Sequence, residues 1–483
     1  MSDRNLLILG LDGIDPFLIE EYSEELPNLS SLMDDEGSNV LESVLPPVTN
    51  PAWGCSFTGK LPESLGRFDM KVLNSDFEYG FEHLPMEDIM VDGFWEFTDA
   101  RVGLMDVPCT SISEVNGWVL GGPFNVSDED AYPEDLSQEL KENLGEFDWD
   151  ISGTGEEKRR KAFDQFEMRK KTLDYFLDNK DADVYFYVFR VTDTLMHHCS
   201  EEDQLIEAYR RADEYLGELM DRDLDVMVVS DHGAVKADRS YSLNTWLIQN
   251  DFLEMESGSE TDPGFLRKFA LEVGEKALNL GFKDQLSWLN SKYEDLFGEE
   301  FRTTGKLDLE DVNWDETEAF SYTVATCRYT GVWINDDRFP EGIVEDTETK
   351  KEDLKKEIEA IEEVEEVLFK EEAFQKDHRL FPDLVVKYSQ HVKQDSAVRE
   401  KPVSEIYTYM HRKEGFIGLH GESFGNIPEG ADLVDIAPTV LHYLGENIPE
   451  EMDGKVIDIF AEGTDPAERK PERFSGEISN IDF

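Results

Sequence analysis

The chain has 483 residues, of which 39% are hydrophobic and 11% aromatic, so it has the composition of a folded globular protein and not of a disordered chain. Its 46 basic residues oppose 109 acidic ones, and the net charge of -63 disfavours binding to nucleic acid or to an anionic membrane, because both are negatively charged. The acidic residues occur along the whole chain, a distribution that we interpret as halophilic. Salt near 1 M shortens the Debye length to about 3 Å and screens such repulsion; an ordinary acidic protein with one solvated face is the alternative.

Neither the cysteines nor the apolar segments indicate secretion or membrane insertion. The cysteines form no CxxC pair, so each is interpreted as a small buried residue or a free thiol. They are Cys55, Cys109, Cys199 and Cys327. The first residues run directly into an apolar strand, and no stretch approaches 18 apolar residues, so neither a signal peptide nor a transmembrane helix is expected. We therefore expect a cytoplasmic protein without a membrane partner.

Short apolar segments alternate with amphipathic helical segments along much of the chain. The predicted elements are, in chain order, a strand at 5–11, a helix at 16–36, a strand at 38–45, a helix at 158–179, a strand at 183–190, a helix at 201–221, a strand at 224–230, strand signals at 320–335, a helix at 349–363, strands at 384–386 and 416–420, and a helix at 435–444. Continuous apolar runs of this length are typical of strands buried on both faces of a parallel sheet. The alternation predicts an α/β protein with a central, mostly parallel sheet flanked by helices.

The alternation is interrupted in two regions. Residues 72–157 are rich in turns and are interpreted as irregular and substrate-facing. The second region contains helical segments at 264–279 and 284–297 and is interpreted as an insertion or lid. We therefore predict a core formed by 1–235 and 321–461, an inserted helical lid or cap at 236–320, and a polar tail at 462–483.

Acidic residues and histidines follow three of the apolar strands. They are Asp12, Asp193, His197, Asp231 and His232. Ligands of open α/β sheets bind outside the carboxyl ends of the strands, so these side chains are expected in one crevice. One Asp–His pair alone is more often a simple hydrogen bond, but repetition at three strand ends favours a shared metal site. Oxygen and nitrogen ligands together suit zinc, manganese or iron better than calcium.

Thr49 is the candidate nucleophile. It follows the second strand and precedes Asn50 and Pro51, a pattern typical of a helix N-cap with proline in the first turn. Its hydroxyl would lie at a helix N-terminus, where phosphate binds well, and coordination to a divalent metal can deprotonate it. A plain helix-capping threonine is the alternative. Asn50 is a candidate donor to a phosphoryl oxygen, with a turn residue as the alternative.

Four motifs occur in this order along the chain: Leu9-Gly10-Leu11-Asp12-Gly13, Pro47-Val48-Thr49-Asn50-Pro51-Ala52-Trp53, Asp193-x3-His197 and Ser230-Asp231-His232-Gly233. In this order they resemble the motifs of the type I phosphodiesterase/nucleotide pyrophosphatase family within the alkaline phosphatase superfamily, here in an acidic, haloarchaeal-like form. The resemblance covers stretches within 5–70, 183–250 and 380–460. It implies an alkaline phosphatase-like fold.

The resemblance also implies two bound divalent metals, with zinc expected and manganese or iron as alternatives. One metal would be held by Asp12, Thr49, Asp231 and His232. The other would be held by Asp193, His197 and a late histidine. His411, which precedes the apolar strand 416–419, fits the late position better than the alternative, His420.

The implied activity is two-metal hydrolysis of a phosphate ester, namely a phosphodiester or nucleotide pyrophosphate bond in a small phosphorylated substrate, through a phosphothreonine intermediate. A phosphomonoesterase or phosphomutase on the same site is one alternative, and a non-catalytic metal-binding interaction protein is another. Sulfatase activity is disfavoured, because the segment around Thr49 lacks the oxidisable cysteine or serine and the arginine of sulfatases. The sequence determines neither the substrate nor the oligomeric state.

Overall fold

The computed structural model describes residues 5–33, 39–74, 77–82, 92–110, 115–121, 131–146, 153–198, 202–256 and 307–466. These residues belong to two compact units. The first unit comprises Met1–Leu65, Pro85–Ala234 and His411–Phe483, and the second comprises Gly66–Leu84 and Val235–Met410. This division differs from the predicted core of 1–235 with 321–461, because Val235–Met410 belongs with Gly66–Leu84.

Some predictions concern residues outside the described part of the chain. They are the helical segments 264–279 and 284–297, Cys199, and the polar tail from 467 onwards. The insertion or lid therefore stays a prediction. Cys55, Cys109 and Cys327 are buried thiols that form no disulfide, as predicted.

The strands of the described residues are β1 (Asn5–Leu11), β2 (Val40–Glu42), β3 (Val72–Leu73), β4 (Phe81–Glu82), β5 (Val102–Met105), β6 (Gly117–Leu120), β7 (Ala131–Tyr132), β8 (Val184–Phe189), β9 (Leu224–Val229), β10 (Gly233–Ser242), β11 (Ala319–Tyr322), β12 (Tyr329–Ile334), β13 (Val364–Phe369), β14 (Leu384–Tyr388), β15 (Val392–Asp395), β16 (Val403–Arg412), β17 (Glu414–His420) and β18 (Ala431–Asp432). The α-helices are α1 (Pro16–Glu21), α2 (Pro27–Ser31), α3 (Thr49–Thr58), α4 (Pro62–Leu65), α5 (Leu136–Leu144), α6 (Gly155–Asn179), α7 (Val191–His198), α8 (Glu202–Met220), α9 (Leu243–Gln249), α10 (Thr347–Ile358), α11 (Lys370–Ala373) and α12 (Ile436–Tyr443).

The main sheet of the first unit has the strand order β18-β2-β17-β9-β1-β8-β5-β6-β7. Its central strands β9, β1, β8, β5 and β6 are parallel to one another. By contrast, β17 pairs antiparallel with β9 and β2, and β7 pairs antiparallel with β6. The predicted fold class, a mostly parallel central sheet flanked by helices, is confirmed.

The centre of this sheet is apolar on both faces, which explains the continuous apolar runs of the sequence. Ile8 of β1 is opposite Phe186 of β8 and Met227 of β9, and all three side chains are fully buried. The indole of Trp53 in α3 packs beside Phe186, with ring centroids 6.0 Å apart. Polar groups at the carboxyl ends of these strands therefore follow strands that are packed within the apolar core.

Two sequence predictions for the first unit need correction. The helix predicted over 16–36 is two shorter helices, α1 and α2, because Pro27 opens α2 and disfavours helical backbone at Leu26, which has φ -122° and ψ 58°. The region 72–157 is not irregular throughout, since β5 and β6 belong to the main sheet. These strands have only four residues each and contain glycine, which weakens their signal in the sequence.

The second unit contains an antiparallel sheet with the order β11-β12-β14-β13 and a three-stranded sheet with the order β15-β10-β16. The strand signals at 320–335 correspond to β11 and β12, which pair with each other. Among the described helices, none combines the length and the apolar character that crossing a bilayer requires.

Candidate active site

The carboxyl ends of β1, β8 and β9 lie at one edge of the main sheet, because these strands are parallel neighbours. Asp12 directly follows β1, Asp193 lies in the first turn of α7 after β8, and Asp231 follows β9. The backbone N–H of Asp12 donates to the Phe189 carbonyl at 3.0 Å, and the N–H of Asp193 donates to the Asp12 carbonyl at 3.1 Å. Backbone hydrogen bonds therefore fix the first two carboxylates side by side.

Two clusters of candidate metal ligands lie at this edge. The first cluster contains Asp193, His197 and His411, the second contains Asp12, Asp193 and His232, and the ligand atoms within each lie within 4.8 Å of one another. In the first cluster, His197 Nε2 lies 3.0 Å from Asp193 Oδ1 and 2.9 Å from His411 Nε2. In the second cluster, His232 Nε2 lies 3.5 Å from Asp12 Oδ1. The clusters are neighbours, because Asp193 belongs to both.

Backbone carbonyls orient two of the histidines. His232 Nδ1 lies 3.1 Å from the Gly233 carbonyl, and His411 Nδ1 lies 2.8 Å from the Pro47 carbonyl. A ring whose Nδ1–H donates to a carbonyl presents an unprotonated Nε2, the form that binds metals. Burial lowers the pKa of His232 to about 4 and the pKa of His411 well below its ordinary value, so both rings are neutral near pH 7.

Three carboxylate oxygens at this edge are buried and accept no hydrogen bond from the described residues. They are Asp12 Oδ1, Asp193 Oδ1 and Asp231 Oδ2. A buried polar atom without a partner costs about 1–3 kcal/mol, and more when it is charged. All three lie within 3.5 Å of a histidine Nε2, as Asp231 Oδ2 does at 3.4 Å from His232. Unpaired carboxylate oxygens beside imidazole nitrogens are the donor set that a divalent cation requires, so the residues fit a metal site.

The carboxyl groups perturb one another strongly. Burial, followed by the charge of Asp193, raises the pKa of Asp12 to about 7. Burial and the charge of Asp12 raise the pKa of Asp231 well above its ordinary value. Burial is the largest single influence on Asp193 and acts in the same direction, but His197, His411 and Arg190 together outweigh it and hold the pKa of Asp193 well below the usual range. Three carboxylates cannot all be ionised here at low cost without added positive charge.

Arg190 supplies part of that charge and was not predicted from the sequence. Its Nε lies 3.2 Å from Asp12 Oδ2, and its Nη2 lies 3.5 Å from Asp193 Oδ2. Trp53 Nε1 also donates to Asp12 Oδ2 at 3.3 Å. One oxygen of each carboxylate is thus held by these donors, and the other faces the histidines. The only sequence signal is the position of Arg190 directly after β8, three residues before Asp193.

Thr49 begins α3, but it does not cap it as predicted. The N-cap is Val48, and Thr49 is the first helical residue. Its side chain is only 5% exposed, and its Oγ1 lies 3.5 Å from His232 Nε2. The hydroxyl therefore faces the second cluster and is not used at the helix end, which disfavours the alternative of a capping threonine.

Asn50 follows Thr49 and has a buried amide oxygen that accepts no hydrogen bond from the described residues. Its backbone carbonyl accepts a hydrogen bond from Cys109 Sγ at 3.1 Å. The start of α3 is thus fixed from the loop after β5, and the residue that follows Thr49 has an unsatisfied amide oxygen.

The two candidates for the late histidine lie on different strands, His411 near the end of β16 and His420 at the end of β17. His411 belongs to the first cluster. His420 ends β17 opposite Val226 of β9, and its Nε2 lies 3.1 Å from the Met220 carbonyl. The structure therefore brings His411, and not His420, to the other candidate ligands. Asp12, Thr49, Asp193, His197, Asp231 and His232 lie there as well.

The family described as "Type I phosphodiesterase / nucleotide pyrophosphatase" matches residues 6–391 of the chain. No curated protein matches the sequence.

Solved structures match the fold over most of the chain at low sequence identity. A phosphonoacetate hydrolase from Sinorhizobium meliloti 1021 in complex with phosphonoacetate is 14% identical, with a TM-score of 0.58 and coverage of 90% of this chain and 94% of that one. Human ectonucleotide pyrophosphatase / phosphodiesterase 5 is 11% identical, with a TM-score of 0.52 and coverage of 94% and 100%. Likeness at such identity establishes the fold.

Proposed function

The chain belongs to the type I phosphodiesterase / nucleotide pyrophosphatase family, and from that premise we propose that it cleaves a phosphodiester or nucleotide pyrophosphate bond of a small phosphorylated substrate through a phosphothreonine at Thr49. The coarser assignment follows from the family: the protein is a metal-dependent hydrolase of the phosphodiesterase/pyrophosphatase type. The proposal adds the bond, the nucleophile and the roles of individual residues.

The observation that carries the proposal is the position of the Thr49 hydroxyl beside unpaired, buried carboxylate oxygens and neutral histidines. Thr49 Oγ1 lies 3.5 Å from His232 Nε2, which in turn lies 3.5 Å from Asp12 Oδ1. A structural threonine at a helix start would use its hydroxyl for the helix. This hydroxyl faces the candidate ligands.

We propose two divalent cations, zinc or else manganese or iron, bound by two sets of residues. One set is Asp12, Thr49, Asp231 and His232. The other is Asp193, His197 and His411. Bound divalent cations would lower the pKa of a coordinated hydroxyl and offset the negative charge of the phosphoryl oxygens. The proximity of the ligand atoms supports these sets, and Asp193, which belongs to both clusters, couples them.

The residues of the chain would then act in two steps. Thr49 Oγ1 forms a bond to phosphorus while the bond from phosphorus to the leaving oxygen breaks. The proton that Thr49 gives up is matched by one that the leaving oxygen takes up. Water then attacks the phosphothreonine and restores the hydroxyl. The amide of Asn50, adjacent to the nucleophile, would donate a hydrogen bond to a phosphoryl oxygen during both transfers.

Replacing the nucleophile tests this mechanism. Thr49→Ala is expected to lower turnover of bis(p-nitrophenyl) phosphate by about 1000-fold or more, because the attacking oxygen is absent. Thr49→Ser is expected to retain part of the activity, since a hydroxyl remains but lacks the methyl group that restricts χ1. The matched control is Thr58→Ala in the same helix, where the hydroxyl donates to the Gly54 carbonyl at 2.7 Å. It should leave turnover close to that of the wild type.

Acid quenching within a single turnover, followed by peptide mapping, should find phosphate on the peptide that contains Thr49. A fully active Thr49→Ala variant, or repeated absence of that phosphopeptide, would overturn the mechanism. Faster turnover of p-nitrophenyl phosphate than of the diester would instead favour a phosphomonoesterase on the same site.

A further inference from the structure

Asp15 is a buried aspartate that lies outside both metal-ligand clusters. It follows Asp12 by three residues and is 1% exposed. Its Oδ1 accepts hydrogen bonds from the backbone N–H of Phe17 at 2.9 Å and of Leu18 at 3.0 Å. This oxygen therefore caps α1, an ordinary structural role.

The other carboxylate oxygen contacts two further segments. Asp15 Oδ2 accepts a hydrogen bond from the backbone N–H of Ala234 at 3.1 Å and lies 3.6 Å from Arg412 Nε. Ala234 lies two residues after His232, and Arg412 directly follows His411. A Cβ atom on Gly233 would lie only 2.5 Å from Asp15 Oδ2, so the carboxylate packs directly against the turn after His232.

Hydrogen bonds around Asp15 join the same segments. Ile14 N–H donates to Ser230 Oγ at 2.9 Å, and that hydroxyl donates to the His232 carbonyl at 2.7 Å. The backbone N–H of Asp15 donates to the Tyr209 hydroxyl at 3.0 Å, which donates to the Gly13 carbonyl at 2.9 Å. The loop after β1 is thus fixed both to the loop after β9 and to α8.

We propose that Asp15 is a positioning residue that holds three ligand-bearing segments in register: the loop with Asp12, the turn with Asp231 and His232, and the end of β16 with His411. This inference rests on the proposed metal-dependent function. Asp15 binds no metal itself in this account. Its Oδ2 keeps the ligand atoms at the separations that a cation requires.

The capping role alone does not require an aspartate. Asparagine caps helices about as well, since its amide oxygen also accepts from the first N–H groups. The contacts of Oδ2 do require a carboxylate, because an amide NH₂ at that position would face the Ala234 N–H and the Arg412 guanidinium as a third donor. If the amide turned round, the two N–H groups at the start of α1 would lose their acceptor instead.

Asp15→Asn therefore separates the cap from the positioning contacts. With the cap retained, the metal-free variant should still unfold cooperatively in about 2 M KCl, where surface repulsion is screened, at a temperature lowered only by the loss of the Oδ2 contacts. Its affinity for Zn²⁺, titrated by calorimetry into chelator-treated protein, should fall by about 10- to 100-fold, as expected for partners that orient metal ligands. The value of kcat at saturating Zn²⁺ should fall as well.

Two further variants make the test specific. Asp346→Asn also removes a charge from a helix-capping aspartate, whose carboxylate accepts from the Thr349 N–H at 3.2 Å, and should leave Zn²⁺ affinity unchanged. Arg412→Gln should weaken mainly the binding step that involves His411. It remains informative if Asp15→Asn does not fold, although Arg412 also pairs with Glu414 at 3.1 Å and lies over the Phe17 ring at 4.1 Å.

The outcomes distinguish this proposal from the proposed function. If the wild type bound no Zn²⁺, the proposed function itself would fail. If the wild type bound Zn²⁺ and folded Asp15→Asn bound it equally tightly, only the positioning role would be overturned. Loss of affinity in Asp346→Asn to the same extent would also count against it, since a general charge effect would then explain the result.

Discussion

Each of the two units contains an arginine that lies between two buried aspartates. In the first unit, Arg190 lies between Asp12 and Asp193, at 3.2 and 3.5 Å. In the second unit, Arg338 lies between Asp336 and Asp383, at 2.8 and 2.6 Å. The two groups have the same composition, but their hydrogen bonding differs.

The Arg338 group is satisfied by the protein. Asp336 Oδ2 accepts from Thr347 Oγ1 at 3.1 Å, and Asp383 Oδ2 accepts from the Ile334 N–H at 2.8 Å. None of its carboxylate oxygens is among the buried atoms that lack a partner in the described residues. Removing one partner of such a group destabilises a fold, because the remaining charge is left buried and unpaired.

The Arg190 group is not satisfied, since Asp12 Oδ1 and Asp193 Oδ1 accept no hydrogen bond from the described residues. Each is turned away from the arginine and towards a histidine Nε2. A buried charge that lacks hydrogen-bond partners costs stability. A cation bound to the unpaired oxygens would offset that cost. The comparison teaches that a buried Asp–Arg group indicates a ligand site when its unpaired oxygens also lie beside histidine ring nitrogens.

The largest effect is expected from Asp193→Ala, because Asp193 belongs to both ligand clusters. Turnover should fall by about 1000-fold or more, which corresponds to the several kcal/mol of transition-state stabilisation that bound metal supplies. Calorimetric Zn²⁺ titration should show both binding steps lost or strongly weakened. The metal-free variant should lose less stability than a variant of the satisfied group, because it removes the unpaired Oδ1 together with Oδ2, and Asp12 Oδ2 still pairs with Arg190. Full Zn²⁺ occupancy in this variant would contradict the shared role of Asp193.

The opposite pattern is expected for Asp383→Asn in the satisfied group. Removing one partner of a buried ion pair typically costs about 3–5 kcal/mol, so the free energy of unfolding should fall by about 3 kcal/mol in denaturant titrations. Zn²⁺ affinity and turnover per folded molecule should not change, because no candidate ligand belongs to this group. A drop in Zn²⁺ affinity with unchanged stability would erase the distinction between the two groups.

The sequence predicts well the strands that carry the site residues, but it predicts poorly the contacts between segments that are distant in sequence. The runs that form β1, β8 and β9 are apolar throughout, so both the parallel sheet and the residues at its carboxyl edge can be recognised from local pattern. The strands β5 and β6 escape recognition, because each is short and contains glycine.

The roles of Arg190 and Asp15 depend on contacts between segments far apart in sequence. Asp15 meets Ala234 and Arg412 across separations of 219 and 397 residues, and nothing in the local pattern around Pro16 distinguishes it from a simple helix cap. The end of α3 nearest Thr49 illustrates the same limit. The pattern predicts an N-cap there, but tertiary packing places the hydroxyl towards His232.

The smallest effect concerns Asp15, which combines features of both groups: its oxygens are bonded, yet its arginine lies 3.6 Å away. Burial raises the pKa of Asp15 to about 6, and the charge of Arg412 only partly opposes this. Because the folded-state pKa lies above the unfolded value of 3.8, the folded protein binds more protons between these values. The contribution of Asp15 to stability is therefore present at low pH and is lost as the pH rises through about 6.

In metal-free protein, the wild type should consequently lose about 1.5 kcal/mol relative to Asp15→Asn between about pH 4.5 and 6, measured by urea titration in constant high salt. Other buried acids, including Asp12, titrate in both proteins, so the difference between the two profiles isolates Asp15. Parallel profiles would mean that Asp15 keeps an ordinary pKa. In that case Arg412 and the backbone N–H groups that donate to the carboxylate would fully offset the effect of its burial.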